Sequence, residues 1–265
     1  MKSIAQALAF SVAALFIAIP TLSQAEPQQV ATAPACAAPS EASRLGQTLT
    51  HTARRLALGE PLTIVAVGSS STAGAGASAP TLSYPARLEA ELRARFPGIP
   101  IKVLNRGVNG EEATQMLARF ESTVLSEHPD LVVWQVGTNT VLRDHAVAGV
   151  APLVDEGIQR LKASGADVVL MDPQFAPKVI AKPDTEAMVA LVSRAAKAGN
   201  AGLFQRFAIM RQWNKVDGIP FEAVLSPDGL HMNDWSYGCV ARLLAIAIAD
   251  SARAPAVARV PGATR

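Results

Sequence analysis

Residues 64–76, IVAVGSSSTAGAG, place three serines and a threonine directly after a short aliphatic run. Ser69, Ser70, Ser71 and Thr72 are thereby predicted at the carboxyl end of a buried strand, the edge where open α/β sheets hold their ligands. A serine hydroxyl is a weak nucleophile at neutral pH and needs a base, usually histidine, that is itself oriented by a third group. Ser226-Pro227-Asp228-Gly229-Leu230-His231 offers both, because Asp228 and His231 stand three apart in a turn where one carboxylate can hold the imidazole's other nitrogen. Attack on a carbonyl also calls for fixed donors aimed at the charge that develops on its oxygen. Asn105-Arg106-Gly107-Val108-Asn109-Gly110-Glu111 supplies the backbone N–H of Gly110, unobstructed by a side chain. Gly137-Thr138-Asn139-Thr140 supplies the side-chain amide of Asn139. All parts of an acyl-transfer site are present.

The elements that must position these residues follow from periodicity. Residues 62–67, 101–105, 131–136 and 168–171 are short apolar runs of the kind expected for strands covered on both faces, with 201–204 as a fifth. A first amphipathic helix is predicted over 44–58 from Leu45, Leu49 and Leu56. Later helical patterns run through Leu88, Leu92 and Phe96; Met116, Phe120 and Val124; and Val150, Val154 and Leu161. Thr185 is expected to cap a helix carrying Met188, Leu191, Val192 and Ala195. Asp234 is expected to cap the last helix, which carries Val240, Leu243, Leu244, Ala247 and Ile248. This alternation predicts a single-domain three-layer α/β/α sandwich with a mainly parallel five-stranded sheet. Each chemistry-bearing stretch then falls just past a strand end or just before the last helix, on one rim.

The four stretches, in this order on this alternation, resemble the SGNH or GDSL-type hydrolase family, a flavodoxin-like fold, across essentially the whole mature chain from Leu62 to Ala249. The resemblance implies Ser70 as nucleophile and first oxyanion donor, Gly110 and Asn139 as the other donors, Asp228 as orienting acid and His231 as base. Two positions depart from the family pattern. Gly68-Ser69-Ser70 stands where Gly-Asp-Ser is usual, and Gly137-Thr138-Asn139-Thr140 ends in a hydroxyl where Gly-x-Asn-Asp is usual. Both changes take charge from around the site without touching a catalytic member. The implied activity is cleavage of small acyl esters, including carbohydrate or cell-envelope O-deacetylation, with a lysophospholipase or thioesterase as the alternative. A glycan-binding protein without turnover is the competing reading from another class.

Several other functions are disfavoured. Gly74 and Gly76 hint at a phosphate-cradling loop, but no Gly-Lys-Ser/Thr follows and GxGxxG is incomplete, so no cofactor is expected. His51, His128 and His145 lack matching carboxylate or cysteine clusters and read as surface or packing residues rather than metal ligands. Trp134 and Phe120 read as core. Trp235 and Tyr237 are read either as lining an acyl or sugar pocket or as packing under the last helix. Asp172-Pro173-Gln174-Phe175-Ala176-Pro177 is expected to be either a substrate-facing wall or a proline-stiffened loop. On the wall reading, alanine at Gln174 and Phe175 alters substrate preference more than folding.

The amino terminus has the pattern of a secretory signal peptide over 1–25: Lys2, an apolar run over 7–19, Pro20, and Ser23-Gln24-Ala25 at the cleavage positions. The apolar run is too short for an ordinary membrane span, and an uncleaved anchor is the competing reading. Cleavage after Ala25 leaves 23 basic and 22 acidic side chains, which gives no electrostatic footprint for nucleic acid or an anionic membrane. A periplasmic or secreted location follows. Oxidising conditions there favour a Cys36–Cys239 disulfide, with two free thiols as the alternative. Residues 26–43 read as a flexible arm, 44–252 as the hydrolase domain and 253–265 as a disordered tail.

Overall fold

The structure, a computed structural model, describes residues 35–253; the expected signal peptide, the first half of the expected arm and residues 254–265 lie outside them. Five strands, β1 Leu62–Gly68, β2 Ile101–Gly107, β3 Leu131–Gln135, β4 Asp167–Met171 and β5 Gly202–Phe204, form one sheet in the order β2-β1-β3-β4-β5. Every pairing is parallel. The helices are α1 Thr50–Ala57, α2 Ser70–Ala73, α3 Tyr84–Arg95, α4 Ala113–Ala118, α5 Phe120–Thr123 and α6 Thr138–Leu142. They continue as α7 Val150–Ala163, α8 Pro177–Ile180, α9 Thr185–Ala198, α10 Arg206–Lys215, α11 Phe221–Val224 and α12 Asp234–Ser251.

Alternation along the strands builds the three layers. Ile64, Ala66, Leu131, Val133, Val169 and Met171 face one core with residues of α3, α10 and α12. Val65, Val67, Val132, Trp134, Val168 and Leu170 face a second core with residues of α4, α7 and α9. Successive strand residues point to opposite faces, so near-continuous apolar runs are what a doubly covered sheet requires. Trp134 fills the second core against the Phe120 ring, 5.1 Å between centroids. Gly157 lets α7 approach that indole, since a Cβ there would lie 2.3 Å from it.

The predicted layers and all five strands are present, and the differences have local causes. Leu45 and Leu49 are buried but α1 starts only at Thr50, because the backbone at Gly46 takes φ +73°. The second strand runs past Asn105 to Gly107, held by parallel pairing with β1 up to Gly68↔Gly107. The last helix is capped by Asn233, which accepts from Ser236 N, while Asp234 binds Ser78. Thr185 makes no cap; its hydroxyl donates to Val179 O and Asp184 holds the cap position.

The described part of the expected arm is tied down. Cys36 and Cys239 form a disulfide with Cα atoms 5.3 Å apart, and the Trp213 indole donates to Ala37 O at 2.7 Å. The bridge closes a separation of 203 residues. Such a long loop restricts the unfolded chain strongly, so Cys36→Ser with Cys239→Ser is expected to cost about 2–5 kcal/mol, roughly 4–20 °C in Tm for a domain of this size. A thermal melt of the double serine variant against the parent checks this.

Candidate active site

Between β1 and β3 the chain's connections leave in opposite directions, β1 towards β2 and β3 towards β4. Such a switch point opens a crevice at the carboxyl ends of the strands. The serine turn sits there. A Cβ on Gly68 would come within 2.3 Å of Thr72 Oγ1, and one on Gly107 within 2.1 Å of Ala73 N. Only glycine at both strand ends lets α2 fold back onto the sheet edge.

The three serines separate by environment. Ser69 is buried, and both its N–H and its hydroxyl donate to Gln135 Oε1, at 2.9 and 3.0 Å. Ser71 is buried and accepts from Arg206 Nη1 at 2.9 Å. Ser70 is half-exposed and its Oγ lies 2.9 Å from His231 Nε2. The other imidazole nitrogen, Nδ1, meets Asp228 Oδ2 at 2.5 Å. Asp228 Oδ1 also accepts the backbone N–H groups of Leu230 and His231 and the Ser226 hydroxyl. Partial burial raises the Asp228 pKa, but these donors outweigh it and hold the carboxyl well below the usual range. It is therefore an anion at any neutral or mildly acid pH.

Gly76, at φ +90°, brings the end of the serine stretch against the histidine turn: a Cβ there would lie 2.5 Å from Met232 O and 2.8 Å from His231 Cβ. Tyr237 reinforces the approach by donating to Ala75 O at 2.6 Å. Gly76→Ala is expected to cost about 1–3 kcal/mol through left-handed strain and the clash. It should also lengthen the Ser70–His231 contact, read as a lower Tm and an altered His231 imidazole resonance.

Gly110 has φ +80°, and its carbonyl accepts from Arg143 Nη2 at 2.8 Å. Asn139 is the second residue of α6, and its Nδ2 donates one proton to Glu111 O at 2.8 Å. An amide carries two such protons, so this bond orients the group without exhausting it. All five expected site residues thus lie on the rim formed by the loops after β1, β2 and β3 and the turn before α12. Among the described residues no group of three or more His, Cys, Asp or Glu side chains could hold a metal ion.

Arg206 went unnoticed in the sequence, and it lies fully buried beneath the rim. It donates twice to Asp172 O, at 2.9 and 3.1 Å, to Gln174 Oε1 at 3.0 Å, and to Ser71 Oγ. Gln174 in turn accepts from Thr138 Oγ1 at 3.1 Å and donates to Leu230 O at 3.4 Å. One guanidinium therefore links the neighbours of Ser70 and His231 with α6. Burial pushes the Asp172 carboxyl up to about 7, against the Phe207 N–H and the Arg206 charge, which lower it. A lone Arg among Phe204, Phe207, Ile209 and Met210, and a Gln ending the apolar strand β3, are the sequence signals of this network.

The wall expected from 172–177 is interior over 172–176, and only Pro177 at its end is partly exposed. Gln174 is 1% exposed and Phe175 6%, the latter packed edge-on to Phe207 and stacked on Phe221. Phe175→Ala is accordingly expected to lower the melting temperature and leave the substrate profile of the folded fraction unchanged. Tyr237 is fully buried, and Trp235 packs edge-on against Trp213, so both belong to the packing around α12. A mainly apolar hollow of about 310 Å³ beside the Asp228 turn is lined by Pro177, Phe221, Leu225 and Pro227 among others. A larger one, about 640 Å³, lies between the ends of α1, α3 and α12, away from these side chains.

Comparison with known proteins then places the chain. Residues 35–254 match the model of the Non-GDSL lipase-like family. The chain belongs to that family. The name suits Gly68-Ser69-Ser70, and the SGNH-type resemblance holds at the level of family and fold. Curated relatives of this Non-GDSL lipase-like chain include the acetylxylan esterase of Geobacillus stearothermophilus, 34% identical over 62 residues (23% of this chain, 28% of the relative). Esterase TesA of Pseudomonas aeruginosa is 30% identical over 115 residues, 43% of this chain and 56% of TesA. The match therefore spans just over a quarter of the first relative and just over half of the second. Among solved structures, a two-domain esterase active on acetylated mannans superposes with TM-score 0.68 at 20% identity, over 82% of this chain and 57% of that one. At that identity the likeness is one of fold.

Proposed function

We propose that this protein is an exported serine esterase that hydrolyses small acyl esters, acetylated carbohydrate or cell-envelope glycans foremost. The observation that carries the reading is the continuous contact from Asp228 through His231 to Ser70 Oγ, at 2.5 and 2.9 Å. His231 Nε2 takes the Ser70 proton as Oγ attacks the ester carbonyl carbon. The negative charge on the carbonyl oxygen rests on the Ser70 and Gly110 N–H groups and on the second proton of Asn139 Nδ2. His231 then returns the proton to the departing alcohol, leaving the acyl group on Ser70. Water repeats the sequence and releases the carboxylic acid, regenerating the serine.

Asp228 serves by staying ionised, which fixes the imidazole tautomer and stabilises the imidazolium that forms. The apolar hollow lined by Phe221 and Leu225 is suited to a non-reacting part of the substrate. Export rests on the amino-terminal pattern, and the disulfide is in keeping with an oxidising compartment. No helix among the described residues is long and apolar enough to cross a membrane.

A fluorophosphonate probe tests the mechanism. The expected result is one covalent adduct per chain, mapped to Ser70 by peptide mass, while an unlabelled folded protein would leave only the glycan-binding reading. The thioesterase or lysophospholipase alternative is favoured by one relative, the Escherichia coli protein named thioesterase 1/protease 1/lysophospholipase L1, 26% identical over 161 residues. Chain-length profiling, set beside acetate release from acetylated glycans, separates the two.

A further inference from the structure

Glu112 stands at the corner where the loop carrying Gly110 meets the helix carrying Asn139. Its carboxylate is 14% exposed and is the common acceptor for groups of that helix and the loop after it. Thr140 Oγ1 donates to Oε2 at 3.0 Å, Arg143 Nη1 to Oε1 at 2.6 Å, and His145 Nδ1 lies 3.2 Å from Oε2. The same Arg143 reaches back with Nη2 to Gly110 O, so its guanidinium fork spans Glu112 and the carbonyl of the glycine itself. On the loop side, Glu112 caps α4 in a reciprocal box with Gln115, whose Oε1 accepts from Glu112 N at 3.0 Å. Asn139 Nδ2 meanwhile is bonded to Glu111 O, one residue away. The bonds that tie Gly110 to the Asn139 helix in this corner thus run through Glu111 O, the Glu112 carboxylate and the Arg143 guanidinium that Glu112 holds.

We propose that Glu112 is the positioning residue of the oxyanion site, setting the separation of the Gly110 and Asn139 donors through Arg143 and Thr140. The inference rests on the esterase reading above. Charge is what the corner needs. Thr140 presents only a hydroxyl at its end, so the anion that neutralises Arg143 comes from the Gly110 loop instead. Coupling two loops through one anion makes the donor spacing depend on that anion. A donor displaced by a few tenths of an ångström weakens in the transition state, where its bond is strongest, more than in the ground state.

The experiment compares short-chain nitrophenyl ester kinetics of the parent, Glu112→Gln, and Glu112→Gln with Thr140→Asp. Glutamine keeps the acceptor oxygen that caps α4 but loses the charge. The expected result is a kcat about tenfold or more lower with KM within about twofold, since the lost interaction acts on the transition state. The double variant returns a carboxylate to within reach of Arg143 from the other side. It should recover kcat to within about threefold of the parent, which a merely structural role would not produce. A parent-like kcat for Glu112→Gln, or a double variant no better than the single one, overturns the proposal. Should Glu112→Gln melt below the assay temperature, Arg143→Met carries the same test. It leaves the α4 cap intact and removes the bridge to Gly110 O, so the same selective loss of kcat is expected and its absence overturns the proposal. Failure of the esterase reading is distinct, because the parent itself would then neither turn over ester nor take the fluorophosphonate label.

Discussion

Ser70→Ala is expected to lower kcat for short acyl esters by about 10⁴- to 10⁶-fold, equivalent to about 5–8 kcal/mol of transition-state stabilisation. The size follows from how a nucleophile, base and orienting acid act as one unit, leaving only the oxyanion donors and substrate binding once a member is gone. The fold should be indifferent to the change. Ser70 is half-exposed, and the contact recorded for its hydroxyl is the one to His231. Ser71→Ala gives the contrasting result, because the Ser71 hydroxyl accepts a hydrogen bond from buried Arg206 and its loss lowers stability rather than turnover. Asp228→Asn separates orientation from charge. The amide can keep its oxygen towards the Leu230 and His231 N–H groups, but then turns an NH₂ to His231 Nδ1 and imposes the wrong tautomer. Steady-state kinetics on protein whose melting curve matches the parent's is the decisive measurement. Parent-like turnover by folded Ser70→Ala removes the assignment.

Arg206→Met is expected to be the most damaging single change to the body of the protein. It leaves Asp172 O and Ser71 Oγ without the Arg206 donor in a buried interior and takes one of two donors, the other being Thr138 Oγ1, from Gln174 Oε1. Breaking one side of such a buried charged network costs about 3–5 kcal/mol, roughly 6–20 °C in Tm for a chain of this size. The loss should also show a pH signature. Asp172 binds its proton more tightly in the fold, where its pKa is about 7, than in the unfolded chain, where the ordinary value is 3.8. Its contribution is therefore complete below the unfolded value and is lost progressively as the pH rises towards 7. Without the Arg206 charge the folded value moves higher still, so the decline in Tm continues to more alkaline pH in the variant. Melting curves from pH 4 to pH 9 distinguish this from a uniform offset, which would detach Asp172 from the guanidinium.

The architecture was legible because its signals are local. A run such as LTIVAV has only one reading when glycine and serines end it, and five such runs between helical patterns specify a parallel sheet. The order of the four rim stretches was likewise visible, since each carries its own turn chemistry. What could not be read were partnerships set by the sheet order. Arg206 finds Ser71 across 135 residues, and Glu112 finds Thr140 across 28, by routes that no spacing encodes. The suggested wall at 172–177 failed for the same reason: position after a strand indicates the rim but not how deeply Arg206 and Phe207 draw Gln174 and Phe175 inward. The caps expected at Thr185 and Asp234 each fall one residue earlier, where Asn233 bonds the Ser236 N–H and Asp184 holds the cap position without a side-chain bond, because neighbouring residues of similar capping preference are not distinguished by sequence.

The buried bond between Ser69 and Gln135 has a consequence for how this branch of the fold can change. Gln135 Oε1 receives three donors from the serine turn, the Ser69 N–H, the Ser69 hydroxyl and the Thr72 hydroxyl. An aspartate at 69 would face that oxygen with another acceptor, and rotating the glutamine amide to suit it would abandon the backbone N–H. The polarity of the pair is thus locked from both sides. Converting this block to Gly-Asp-Ser is a two-strand exchange, in which β1's last turn and β3's terminal side chain must switch together, and neither step alone is neutral.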